Sequence, residues 1–232
     1  MNTRNTTLAA AALLATLTAG TAHADESVLS NEVRLGAYFL NYNAKADDLH
    51  GPFVPAGVNV DVKNVTTPYF AYIRRLSPHF ALQLAAGVPP KTETVGKGPA
   101  TVGSVPFNGQ VVSTAKWLAP TVLLNYVFRD ESEAWRPYVG AGGNYTHFYD
   151  RKSTPAGDAA NGGPTAISLT NSVGPAVSVG ISWRIQRRWK AYASYDYARV
   201  NSDYVGNTAG TLRKTSIKFN PSTLVVSVGF SF

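Results

Sequence analysis

Four histidines, His23, His50, His79 and His147, are the first residues to test for chemistry. A pair at ligand spacing would hold a metal, and one beside a serine would serve as a general base. No two of them have that spacing. Ser153 follows His147 closely, yet it falls in a loop-like stretch without a third group to orient the two, so no nucleophile and base set can be assembled. The chain has no Cys, which removes thiolate chemistry and cysteine metal sites. Gly140-Ala141-Gly142-Gly143 begins like a dinucleotide fingerprint, but Tyr145 stands where the next glycine is needed and no helical pattern follows. These residues point to no catalytic set, no metal and no cofactor.

What remains is a series of isolated charges set among apolar segments, Glu32, Arg34, Arg74, Arg184 and Lys190. The formal net charge is +7, and Lys and Arg are scattered over segment ends and connections. A nucleic-acid binder would gather them into one stripe with aromatic interleaving, so no nucleic-acid partner is expected.

The elements that position these charges have a period of two. From Thr223 to Phe232, Leu224, Val226, Val228, Phe230 and Phe232 are bulky, while the residues between them are mostly small or polar. Ser172 to Ile185 alternates in the same way. Weaker runs cover Glu32 to Tyr42, Thr66 to Leu76, Phe80 to Pro89, Ala115 to Phe128, Trp135 to Phe148 and Trp189 to Val200. The connections alternate between short turns and long stretches rich in Gly, Pro, Asn, Asp and Thr, at Asn43 to Val65, Pro90 to Thr114, Tyr149 to Ser168 and Asn201 to Lys214. No run approaches the roughly 18 apolar residues that a transmembrane helix needs.

The fold expected is therefore all-β, an eight-stranded antiparallel up-and-down transmembrane β-barrel with short periplasmic turns and four long extracellular loops. Residues 1–24 read as a cleaved export leader: Arg4 opens it, Leu8 to Thr21 is small and apolar, and Ala22-His23-Ala24 offers a small-x-small cleavage site. The mature barrel would span residues 25–232, in contact with outer-membrane lipid as a monomer, with the terminal Phe232 as the address for the barrel-assembly machinery. A soluble lipocalin-type barrel has the same period, with the bulky face turned inward. Strand-end aromatics such as Trp135, Trp183 and Trp189 favour the membrane reading.

Pro120-Thr121, Asn125-Tyr126-Val127-Phe128, the block from Arg136 to Thr146, Leu169 to Gly174 and the closing Phe230-Ser231-Phe232 together resemble the outer membrane protein W family. That resemblance implies an eight-stranded monomeric barrel that passes small, often hydrophobic, molecules across the outer membrane. The family's paired prolines of the fourth strand are incomplete here, since Ala119 stands in the first position.

Assigning each strand's parity by its own apolar face gives an expected lumen. Glu32, Arg34, Arg74, Arg184 and Lys190 would form a charged plug at the periplasmic end, paired with one another because an isolated buried charge is costly. Leu40, Phe70, Trp117, Leu123, Phe148, Val200, Ile217 and Phe219 would line an apolar funnel on the outer side, above Gln83, Thr121, Asn144 and Asp196. Pro68, Pro89, Pro90 and Pro120 fall in the outer halves of strands two to four, where the missing N–H groups would weaken a lateral seam. The expected function is a passive conduit or binding funnel for small hydrophobic solutes, with sideways exit into the bilayer. Two alternatives stay open: inward aromatics that are only core packing, and a non-transport surface protein whose loops serve adhesion, phage or bacteriocin attachment, or envelope integrity.

Overall fold

The computed structural model describes residues 30–232. The expected leader and the expected mature start at Asp25 lie outside the described residues.

Eight strands form the barrel: β1 (Asn31–Asn41), β2 (Val65–Arg75), β3 (Phe80–Gly87), β4 (Thr121–Val127), β5 (Trp135–Ser153), β6 (Ser172–Arg184), β7 (Trp189–Ala198) and β8 (Ser222–Ser231). Each pairs antiparallel with the next, and β1 closes onto β8 from Glu32 opposite Ser231 to Asn41 opposite Ser222. Closure removes the two unpaired edges an open sheet would leave, so each strand has a neighbour on both sides. Leu224, Val226, Val228 and Phe232 are exposed, whereas Val225, Ser227 and Ser231 are buried. The bulky face thus points outward, as lipid contact requires and as a lipocalin-type barrel would not. No described helix is long and apolar enough to cross a membrane.

The expected fourth strand, Ala115 to Phe128, is interrupted. One strand, Val111–Leu118, ends before Ala119, and β4 begins at Thr121. Pro120 between them has no N–H to give the ladder. Its carbonyl is used toward β5, accepting from Tyr145 N at 3.0 Å.

The long connections are folded rather than loose. β5 runs on to Ser153, beyond the expected end at Phe148, and pairs there with Val111–Leu118, which pairs with Lys91–Lys97 and so with Asn59–Val62. A second sheet runs Thr165–Leu169, Asn201–Thr208, Thr211–Lys218 and Lys45–Ala46. Helix α1 (Pro155–Asn161) joins β5 to that sheet, started by Thr154, whose hydroxyl accepts from Gly157 N, and ended by Gly162 at φ +82°. Between the two sheets lies an apolar core that includes Val58, Val112, Trp117, Phe148, Ile217 and Phe219. The barrel therefore carries a cap with its own hydrophobic centre at the end opposite its short turns; the cap end is called outer and the short-turn end periplasmic after the expected orientation.

Candidate functional site in the barrel lumen

At the periplasmic end, β1 and β7 place Glu32, Arg34 and Lys190 on inward positions. Glu32 Oε1 accepts from Arg34 Nε at 2.6 Å, and Oε2 accepts from Tyr192 OH at 2.7 Å, Lys190 Nζ at 3.1 Å and Ser231 Oγ at 3.1 Å. Arg34 stacks on Tyr192, its guanidinium carbon 3.5 Å from the ring centroid, with the Tyr138 ring 5.7 Å away. The carboxylate is thus saturated and the arginine sandwiched, which a buried ion pair requires if desolvation is to be offset. Just outward, Asn125 Nδ2 donates to Gln83 Oε1 at 2.9 Å and Gln83 Nε2 to Tyr69 OH at 3.3 Å. These side chains block the lumen at mid-height. Gly140 is part of the same fit, since a Cβ there would stand 2.1 Å from Asn125 Oδ1.

Two cavities lie on either side of this block. The periplasmic one, about 220 Å³, is lined by Arg75, Glu131, Arg136, Arg184 and Arg187 together with the plug. Arg75 pairs with Glu131 at 2.6 Å. Arg136 ties the turns together by donating to the carbonyls of Pro78, Phe128 and Arg129. The outer cavity, about 80 Å³, has Leu40, Trp117, Leu123, Phe148, Val200 and Phe219 in its wall, with Gln83, Thr121, Asn144 and Asp196 on its polar side. Its roof is shared with the cap core, where the Phe148 and Phe219 rings lie 5.2 Å apart.

The structure moves four of the expected residues. Phe70 and Arg74 point out of the barrel, at 49 % exposure for Phe70, because β2 presents Thr67, Tyr69, Ala71 and Ile73 inward. Their parity was ambiguous by composition: β2 has aromatics at Tyr69, Phe70 and Tyr72 and arginines at both Arg74 and Arg75. Pairing with β1 resolves it, since Phe70 stands opposite outward Leu35, and Arg74 donates to Ser30 Oγ and Asn31 Oδ1 on the outside. Arg184 is exposed at the rim and bonds the Glu131 and Ser132 carbonyls, so it braces a turn and takes no part in the Glu32 cluster. Ile217 is buried in the cap core and does not line the outer cavity.

Parity gave no place to Arg75, Asn125, Arg136, Tyr138 or Tyr192 in the expected site. The signal was present for Tyr192, which shares a face with Lys190 and Asp196, and for Arg136 and Tyr138, which share one with Asn144.

The wall between β3 and β4 has a gap. The ladder runs from Phe80 opposite Tyr126 to Ala85 opposite Thr121, and resumes in the cap at Lys91 opposite Lys116. Ala86 to Pro90 and Trp117 to Pro120 make no ladder bonds across it. Val88 N donates the other way, to Pro68 O at 3.0 Å on β2. Gly87, Trp117 and Ala119 border this gap and also line the outer cavity.

Elsewhere, His79 Nδ1 lies 2.9 Å from Val127 O in a periplasmic turn, and His147 Nδ1 lies 3.0 Å from Asn171 Oδ1 on the outer surface. Among the described residues no three His, Asp or Glu side chains gather as a metal site would need.

The chain is similar to known proteins in sequence and in fold. Outer membrane protein W of Vibrio cholerae is 31 % identical over 121 residues, covering 52 % of this chain and 55 % of that protein. The chain thus spans about half the length of such curated relatives. The dibenzothiophene metabolism operon protein PahQ of Pseudomonas aeruginosa is 25 % identical over 204 residues, covering 86 % and 87 % of the two chains. The crystal structure of the outer membrane protein OprG of Pseudomonas aeruginosa superposes with a TM-score of 0.78 at 19 % identity, covering 88 % of this chain and 95 % of that one. The OmpW family profile matches residues 31–232, all eight strands and the cap included. A closed eight-stranded outer-membrane barrel, its outward apolar face and that unbroken match together establish that this chain belongs to the OmpW family.

Proposed function

We propose that the protein is a passive, non-enzymatic conduit for small hydrophobic molecules. Solutes enter the outer cavity through the cap and leave sideways, between β3 and β4, into the bilayer. One observation carries the reading: the apolar outer cavity is closed below by the hydrogen-bonded plug and borders the stretch of wall without ladder bonds. An apolar solute there has no low-cost way through the charged cluster, because its passage would strip hydrogen bonds from buried charges. The lipid side is open in energetic terms, since the seam offers few bonds to break and hydrocarbon beyond it. A relative named for an operon of dibenzothiophene metabolism, an apolar aromatic, fits the same class of solute. In this reading Leu40, Trp117, Leu123, Phe148, Val200 and Phe219 are the funnel wall and Pro89, Pro90 and Pro120 keep the seam unbonded. The mature chain is exported by its leader and works as a monomer in outer-membrane lipid.

The test is uptake of an apolar aromatic such as naphthalene by cells producing three variants. Leu123→Trp fills the cavity, Pro120→Val returns a donor to the seam, and removal of residues 98–110 trims the cap. The first two should each lower uptake several-fold and the third should not. Normal uptake with a filled cavity, or loss of surface attachment on trimming without any change in uptake in the other two, would favour the adhesive reading.

A further inference from the structure

Asp196 is an acid that the plug does not use. It sits outward of the Glu32 cluster on β7, opposite Ser178 of β6 and Thr223 of β8. Ser178 Oγ donates to Oδ1 at 2.5 Å and Ser194 Oγ to Oδ2 at 3.3 Å. The lumen cations are committed elsewhere, Arg34 and Lys190 to Glu32 and Arg75 to Glu131. Among the described residues no Lys or Arg comes within ion-pair distance of Asp196.

A carboxylate offers about four acceptor sites, and the two serines fill two of them. Of the cavity's other polar side chains, Gln83 is engaged by Asn125 and Tyr69, Asn144 Nδ2 donates to Thr121 Oγ1 at 2.8 Å, and Asn144 Oδ1 accepts from Thr146 Oγ1 at 2.7 Å. Asp196 is therefore the cavity's formal charge, with acceptor capacity left over and greasy walls opposite. A charge enclosed in this way favours any occupant that supplies a donor or a positive end, and disfavours one that brings a second negative charge.

We propose that the outer cavity selects amphipathic solutes: an apolar chain or ring packed against Leu40, Trp117 and Phe148, ending in an amine or hydroxyl that donates to Asp196, with carboxylate-ended molecules rejected. This rests on the reading of the cavity as a solute site and narrows its substrate class.

Methyl-labelled leucines of the full mature barrel in lipid nanodiscs report binding at Leu40 and Leu123. The probes are hexane, 1-hexanol, n-hexylamine and hexanoate. Wild type should bind hexylamine and hexanol tightest and hexanoate weakest. Asp196→Asn keeps the side-chain size and an acceptor for Ser178, and should weaken hexylamine about tenfold while bringing hexanoate closer to hexanol. An unchanged order in the variant overturns the assignment of Asp196, and so does equal binding of all four probes by wild type; both leave the cavity as a solute site. No shift of either leucine with any probe overturns that underlying reading as well.

Discussion

Arg34 lies over the ring of Tyr192, guanidinium carbon to ring centroid 3.5 Å, while the hydroxyl of the same tyrosine donates to Glu32 at 2.7 Å. The aromatic ring thus holds the cation on its face and the anion at its edge. Three residues from two strands close a triangle in which each side chain is fixed by the other two. The triangle lines the cavity on the short-turn side, and the Gln83–Asn125 layer stands between it and the apolar cavity beyond.

Glu32→Gln should be the most damaging single change in the plug. It leaves Arg34 and Lys190 buried without their counter-charge, a loss of roughly 3–5 kcal/mol for a broken buried pair. Urea unfolding in lipid should show a clearly lower midpoint, and planar-bilayer recordings should show raised ion current. A wild-type midpoint would mean that the cluster is a spectator.

Ile217→Ala tests whether the cap folds as its own unit. Ile217 is 1 % exposed among apolar neighbours, and truncation there should cost roughly 2–5 kcal/mol. Amide exchange should quicken in Asn201–Thr208 and Thr211–Lys218 while the lipid-facing strands stay protected. Equal quickening throughout would instead show one cooperative body.

The cap should also loosen in alkali. Burial pushes the Tyr204 hydroxyl up to about 12 from an ordinary 10.0, so the folded cap favours its neutral form. That contribution is complete below pH 10, the unfolded value, and is lost as pH rises from there through about 12. Amide exchange of Asn201–Thr208 followed between those limits should rise more steeply in wild type than in Tyr204→Phe. Parallel curves would remove Tyr204 from the cause.

Alternation, clearest in Thr223 to Phe232 and Ser172 to Ile185 and weaker in six further runs, gave the barrel and its strand number, and the strand-end aromatics Trp135, Trp183 and Trp189 turned its greasy face outward. A period of two needs no partner strand to be read, only two clearly different faces. The same rule placed Glu32, Arg34 and Lys190 at one end of the lumen, because their strands are unambiguous. It misplaced Phe70 and Arg74, because β2 has aromatic and basic residues on both faces and only its register with β1 selects one. The tertiary structure alone decided three further things: that the long connections zip into a cap, that Asp196 is left without a cation, and that the β3/β4 ladder is broken beside a cavity. Each depends on which strands meet at a given height. That is set by register and closure around the whole ring, which no single segment encodes.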